Sequence, residues 1–282
     1  MVRRRPRRTV KLVAHFREAG GLAWPVQKQA SHERLSRTLE DRWSSLHQHC
    51  ADESSHLRLG RLTHRLTHYN PGVRESALAE LELATQLIGA GVRITFLPES
   101  QARTADLECR LGHERFFVEV TAMVGSSVRR RVPIRGIARD EAQGEEEDRG
   151  VILIHRILAR IQQKAKQLED YGDPVILHIS IPRADLTSGL RTRREEIWLD
   201  VKALSGAVTV RLMTLRHLSA VLISLWDVVP LPSKAGTRLA NVELVERPKH
   251  QCTVPRVRML IHNPGADAPL SERAADMCRE ML

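Results

Sequence analysis

Aromatic residues are scarce: Phe, Trp and Tyr make up 4% of the 282 residues. So few rings argue against a single-stranded nucleic acid held on stacking platforms. Cysteine is scarce too. Cys50, Cys109, Cys252 and Cys278 are scattered, with no CxxC pair. That spacing speaks against a zinc site and makes reduced thiols in a cytosolic protein the default. No apolar run approaches the length of a membrane span. The N-terminus lacks the apolar core of a secretory signal. A cytoplasmic protein with no membrane partner is expected. No internal repeat is visible.

Positive charge is in excess. Lys and Arg number 44 against 34 Asp and Glu, a formal net charge of +10 with a pI near 10.1. The balance favours a polyanion partner and says nothing of specificity. A hydrophobic content of 42% is enough for a real core. The length accommodates one sizeable α/β domain with elaborations, or two small ones.

Residues 1–70 read as a basic arm followed by a separate helical extension. The arm carries Arg3, Arg4 and Arg5; it either grips phosphates by counterion release or is a solvated terminus. Helices are expected over Ser31–Cys50 and Leu57–Thr67, both with spaced Leu and many His and Arg. His64 and His68 stand four apart, but no carboxylate or cysteine joins them in a metal-binding pattern.

The segment Glu75–Gly91 is rich in Ala, Leu and Glu, all good helix formers. Pro71 and Gly72 precede it, and Gly89 with Gly91 gives a stop. At about 100° per residue, Ala77, Leu81, Ala84 and Ile88 form one stripe, widened by Leu87 and Leu78. Glu75, Glu82 and Gln86 fall on the far side and read as solvated. Glu80 projects inside the apolar arc. A carboxylate there must be paired, with an Arg for example, or hold a cation.

Strands follow. Val92–Leu97 is a short apolar run. Ala105–Leu111 and Glu114–Thr121 flank Gly112-His113, a two-residue hairpin turn with Gly at its first position. That turn sets Asp106 opposite Glu119. Alternation puts Glu119 and Thr121 on one face, joined by Asp106, with Phe116, Val118 and Val120 on the other. Opposed carboxylates on adjacent strands repel, so a positive group between them is expected.

In this order (Glu80 on a helix, Asp106 on a strand, then Phe117-Val118-Glu119-Val120-Thr121) the chain resembles the PD-(D/E)xK nuclease superfamily, the restriction-endonuclease-like fold. The resemblance covers roughly Glu75 to Ile181. It implies that Asp106 and Glu119, with the Val120 carbonyl, hold Mg²⁺ or Mn²⁺, and that Glu80 assists as accessory ligand or water-orienting base. Two departures stand out. Thr104-Ala105-Asp106 lacks the proline of the family name, and Thr121 replaces the motif lysine. The implied activity is hydrolysis of phosphodiester bonds in DNA. The alternative is a member of the fold that binds nucleic acid or a protein without cutting. A third possibility is a structural subunit.

Phosphodiester hydrolysis needs an activated water and neutralised phosphoryl charge, and a lysine adds positive charge there. Threonine cannot. The helix expected over Val151–Tyr171 offers a substitute. It carries Ile154, Ile157, Leu158, Ile161, Ala165 and Leu168 on one face. Lys166 points away from that face. Lys164 lies on its flank, in a row with Gln167 and Tyr171. Lys164 is either a snorkelling flank lysine or a migrated catalytic one. Gln167 and Tyr171 also resemble the Gln-x-x-x-Tyr signature of the exonuclease branch, in which case Gln167 orients water or substrate. Arg129, Arg130 and Arg131 lie just past the acidic strand. They open a polar stretch to Gly150 that is either a mobile loop or the track of a substrate backbone.

Beyond this core, Pro174–Pro182 and Leu218–Trp226 read as buried strands. Asn241–Val245 and Arg256–Ile261 read as edge strands. Helices are expected over Arg193–Leu204 and Leu270–Leu282. The fold class expected for residues 71–282 is α/β, a mixed central sheet flanked by helices with a C-terminal elaboration.

Overall fold

The computed structural model describes residues 26–50, 52–98, 104–123, 144–181, 197–231, 239–248 and 254–282. In chain order the elements are α1 (Val26–His49), α2 (Glu53–Leu66), α3 (Pro71–Gly89), β1 (Arg93–Phe96), β2 (Leu107–Leu111), β3 (Glu114–Ala122), α4 (Gly144–Ala165), β4 (Val175–Ile181), β5 (Ile197–Leu199), α5 (Val201–Met213), β6 (Ala220–Leu225), β7 (Val228–Pro230), β8 (Val242–Glu246), β9 (Val257–His262) and α6 (Glu272–Glu280). The fold is α/β. A mixed seven-stranded sheet has the order β1-β2-β3-β4-β6-β9-β8, and β5 and β7 form a small parallel pair.

Strands β1, β2 and β3 form an antiparallel meander. Parallel pairing then joins β3 to β4 and β4 to β6. Between β3 and β4 the chain includes α4, as a parallel pair needs a long crossover. Strand β9 is antiparallel to both β6 and β8, so it is interior, and of these two C-terminal strands β8 alone is an edge, opposite the β1 edge. The expectation of two edge strands is corrected here. Met259, Leu260 and Ile261 of β9 are fully buried, which suits a strand covered on both faces.

The hairpin forms as its turn residues require. Gly112 has φ +65°, and the ladder runs from Leu111 opposite Glu114 to Leu107 opposite Val118. Glycine at the first turn position takes the positive φ without a Cβ penalty. Helix α3 is capped at both ends. The Asn70 side chain accepts from the Gly72 N–H. At the other end Gly91 (φ +79°) lets its N–H donate to Ile88 C=O, and Val92 N–H donates to Leu87 C=O. This is a Schellman stop, which turns the chain into β1.

Two apolar layers sandwich the sheet. On one face, Phe116, Val118 and Val120 pack with Leu81, Ala84 and Leu87 of α3; Leu59, Leu62 and Leu66 of α2 and Leu39, Trp43 and Leu46 of α1 belong to the same cluster. On the other, Phe117 packs with Leu153, Ile157, Ile161 and Ala165 of α4 and with Leu204, Val208 and Leu212 of α5. The described part of the N-terminal region is helical as expected, and its helices share their core with the sheet. That roof changes the surroundings of α3. Glu75 and Glu82, expected in solvent, are only 2% and 5% exposed. A helix covered from both sides has no solvated face.

Helix bounds also differ from expectation, and helix α4 starts at Gly144, inside the polar stretch to Gly150 that was expected as a loop or substrate track. Helix α4 ends at Ala165, so Gln167 and Tyr171 lie past its end. The helix expected over Arg193–Leu204 starts only at Val201, where the Asp200 side chain accepts from Ala203 N–H. The segment Ile197–Leu199 before it is a strand. Among the described residues, no helix is long and apolar enough to cross a membrane. Cys50, Cys109 and Cys278 are buried free thiols.

Candidate active site

Glu80 stands on α3, inside the layer between helix and sheet, and is 2% exposed. It is paired, by two guanidinium groups. Arg58 donates through Nε to Oε1 at 3.2 Å, and Arg65 donates through Nη1 to Oε2 at 2.7 Å. Both arginines come from α2, seven residues or about two turns apart, hence on one face of that helix. They were missed in the sequence. The signal was there: Arg58 and Arg65 flank the stripe Ser55, Leu59, Leu62, Leu66, all four of which are buried.

Helix α2 is held firmly. Asp52 caps it by accepting from Ser55 N–H at 2.8 Å. The Ser55 hydroxyl, fully buried, accepts the Phe96 N–H at the end of β1 at 2.9 Å. Arg58 is one turn further on. Its Nη2 lies 3.2 Å from Glu80 Oε1 and 2.7 Å from Asp106 Oδ1, so one guanidinium joins the two acids. This is a charge-assisted contact with both partners.

Asp106 sits where the β2–β3 ladder stops. The register predicted from the turn holds up to Leu107, one residue short of it. Asp106 N–H donates to Val118 C=O at 3.1 Å. Its carboxylate then stands in for the missing strand residue: Oδ2 accepts the Val120 N–H at 2.9 Å. The N–H and C=O of one strand residue point to the same edge, so the Val120 carbonyl faces the same side as Asp106. The residue before it is also anchored. Ala105 N–H donates to the Tyr171 hydroxyl at 2.7 Å, and the Tyr171 ring lies 4.4 Å from that of Phe117.

Glu119 faces the α4 layer and is 4% exposed. Lys164, on the flank of α4, donates through Nζ to Glu119 Oε1 at 2.5 Å. Lys164 keeps 20% of its side chain in solvent and Asp106 18%, so the group reaches water at these two side chains. Thr121 is buried, two residues beyond Glu119 on β3. Lys166 is exposed, as helix geometry requires, and Gln167 is half-buried in the turn after α4.

The acids feel one another. Burial raises the Glu80 carboxyl, and Asp106 raises it further against the pull of Arg58 and Arg65. Burial likewise pushes Glu119 up to about 7, with Asp106 adding to the rise and Lys164 opposing it. Asp106 is thus the common neighbour of Glu80 and Glu119. Among the described residues, no set of three or more His, Cys, Asp or Glu side chains is gathered so as to hold a metal by itself. In this trio Arg58 stands between Glu80 and Asp106. His64 and His68 have ring centroids 6.5 Å apart, and His68 instead accepts the Asn70 N–H and stacks on Tyr69. Arg3, Arg4, Arg5, Arg129, Arg130 and Arg131 lie outside the described residues.

Comparison with known proteins adds no relative: no family model, no curated protein and no solved structure matches the chain.

Proposed function

We propose that the chain is a Mg²⁺-dependent nuclease of the PD-(D/E)xK type that hydrolyses phosphodiester bonds in DNA. The observation that carries this reading is the ion pair of Lys164 with Glu119, on the strand whose Val118 and Val120 hold Asp106. The lysine absent from position 121 has a counterpart, delivered by the next helix to the acid of the same motif. The element order supports the reading too: a helix bearing Glu80, a three-stranded meander bearing Asp106 and Glu119, a helix, then a parallel strand.

The donor set suits a hard divalent cation, which takes carboxylate and carbonyl oxygens. Asp106 and Glu119 would hold it together with the Val120 carbonyl. Glu80 is not needed as a ligand, because both its oxygens are held by arginine. When bound, Mg²⁺ supplies Lewis-acid polarisation of the phosphoryl group and an activated water. Lys164 places a positive charge at the solvent-facing side, where it neutralises charge growing on the phosphoryl oxygens. Arg58 fixes Asp106 through Oδ1 while Val120 N–H fixes Oδ2, so the carboxylate is set before substrate arrives. The net charge of +10 draws in the polyanion.

A second reading has its own observation: the acids already have cation partners in Arg58, Arg65 and Lys164. A site neutralised in this way suits a fold that binds DNA without cutting. The deciding experiment incubates the full chain with supercoiled and linear DNA, with Mg²⁺, Mn²⁺ or chelator. Metal-dependent cleavage that is lost in Asp106→Asn and Glu119→Gln supports the nuclease. Tight binding with no cleavage in any metal selects the second reading.

A further inference from the structure

Resting on that nuclease reading, we propose that Arg58 fills the place a second divalent ion would take, so that the site binds one metal ion per chain. Two-metal phosphoryl-transfer sites set their ions roughly 3.5–4 Å apart and share a carboxylate between them. In this chain the position between two acids of the group is taken by a guanidinium, with Nη2 3.2 Å from Glu80 Oε1 and 2.7 Å from Asp106 Oδ1.

The guanidinium is built in. Arg58 is 6% exposed. Its Nε also donates to Glu80, whose other oxygen is held by Arg65, and Arg65 in turn donates to Ser76 Oγ at 3.2 Å. The backbone behind it is pinned by the Asp52 cap and by Ser55 on Phe96 N–H. Arginine does not vacate such a place by losing its proton. Glu80, with both oxygens on guanidinium groups, is therefore withdrawn from metal binding; Asp106 has Oδ1 on Arg58, while its Oδ2 accepts only the neutral Val120 N–H and keeps a lone pair for a metal. The acid pair left on the open side, Asp106 with Glu119, is opposed by a single ammonium, Lys164. That pair suffices for one hard ion and lacks the ligands for two.

The test is Mn²⁺ binding to the full chain, counted by calorimetry and by electron paramagnetic resonance. One Mn²⁺ per wild-type chain is expected, lost in Asp106→Asn. Arg58→Met keeps the length of the side chain and removes its charge. It should raise the count towards two, with the spin–spin broadening of a coupled pair, while Arg58→Lys should stay at one. Two ions on the wild type, or a count of one that Arg58→Met leaves unchanged, overturn the inference and leave the nuclease reading standing. No ion on the wild type overturns the metal-dependent reading and this inference with it. Should Arg58→Met fail to fold, the wild-type count decides.

Discussion

Lys164 Nζ lies 2.5 Å from Glu119 Oε1, although the two residues come from different layers and are separated by 45 positions in the chain. The pair forms because β3 turns Glu119 towards α4, and because Lys164 stands on the flank of that helix, half-buried between core and water. A lysine there buries its stem and keeps its head polar.

If that ammonium does the work of the motif lysine, Lys164→Ala should lower DNA cleavage by about 10²–10³, the usual cost of one lost charge-stabilising contact. Lys166→Ala should change little, since its side chain is exposed. Thr121→Lys should restore part of the activity in the Lys164→Ala background, because position 121 shares a face with Glu119. Cleavage rates for the four proteins give the answer. Equal rates for Lys164→Ala and wild type would remove the lysine from the mechanism and leave Arg160, on the same helix, as a candidate charge.

Tyr171 should matter for Asp106. Its hydroxyl accepts the N–H of Ala105, the residue just before Asp106. Tyr171→Phe keeps the ring against Phe117 and strands that N–H, at a cost of about 1–3 kcal/mol. We expect a lower Tm and weaker Mn²⁺ binding together. A variant unchanged in both would show that the contact neither stabilises nor positions.

Glu75 gives a pH dependence free of the site. It is 2% exposed, its Oε1 has no hydrogen-bond partner, and burial pushes its carboxyl up to about 7. An acid raised on folding binds its proton more tightly in the folded state. Stability from this group is therefore fully present below the ordinary carboxylate range and is lost as pH rises towards 7. Glu75→Gln mimics the protonated form. It should match wild type near pH 4 and melt higher at pH 8, by an amount on the order of 2–3 kcal/mol. Melting curves at the two pH values check this. A gain of the same size at both would refute the titration.

The local parts of this structure were legible in the sequence, and the parts made by distant packing were not. The hairpin register followed from Gly112-His113, because a two-residue turn leaves one pairing. The flank position of Lys164 followed from helix geometry, though not its partner Glu119. The solvated reading of Glu75 and Glu82 failed because nothing in α3 announces that α1 and α2 will cover it. Arg58 and Arg65 were passed over for a related reason. A helix with spaced leucines and many charges reads as a surface helix until its partner is known. Gln167 was placed on the Lys164 row because the apolar period runs on to Leu168, which is indeed buried although the helix has ended. Strand β9 read as an edge because its sequence alone does not say what lies beyond it.

The roof formed by α1 and α2 has a practical consequence for anyone trimming the chain. The stretch that resembles a nuclease begins at Glu75, which invites a shortened version starting near Pro71. Such a fragment would shed Arg58 and Arg65 together, leaving Glu80 as a lone anion in an apolar layer, and would bare the outer side of α3 to water. Removing one side of a buried ion pair is strongly destabilising. The smallest unit able to stand on its own therefore reaches back well before Pro71, to include α1 and α2.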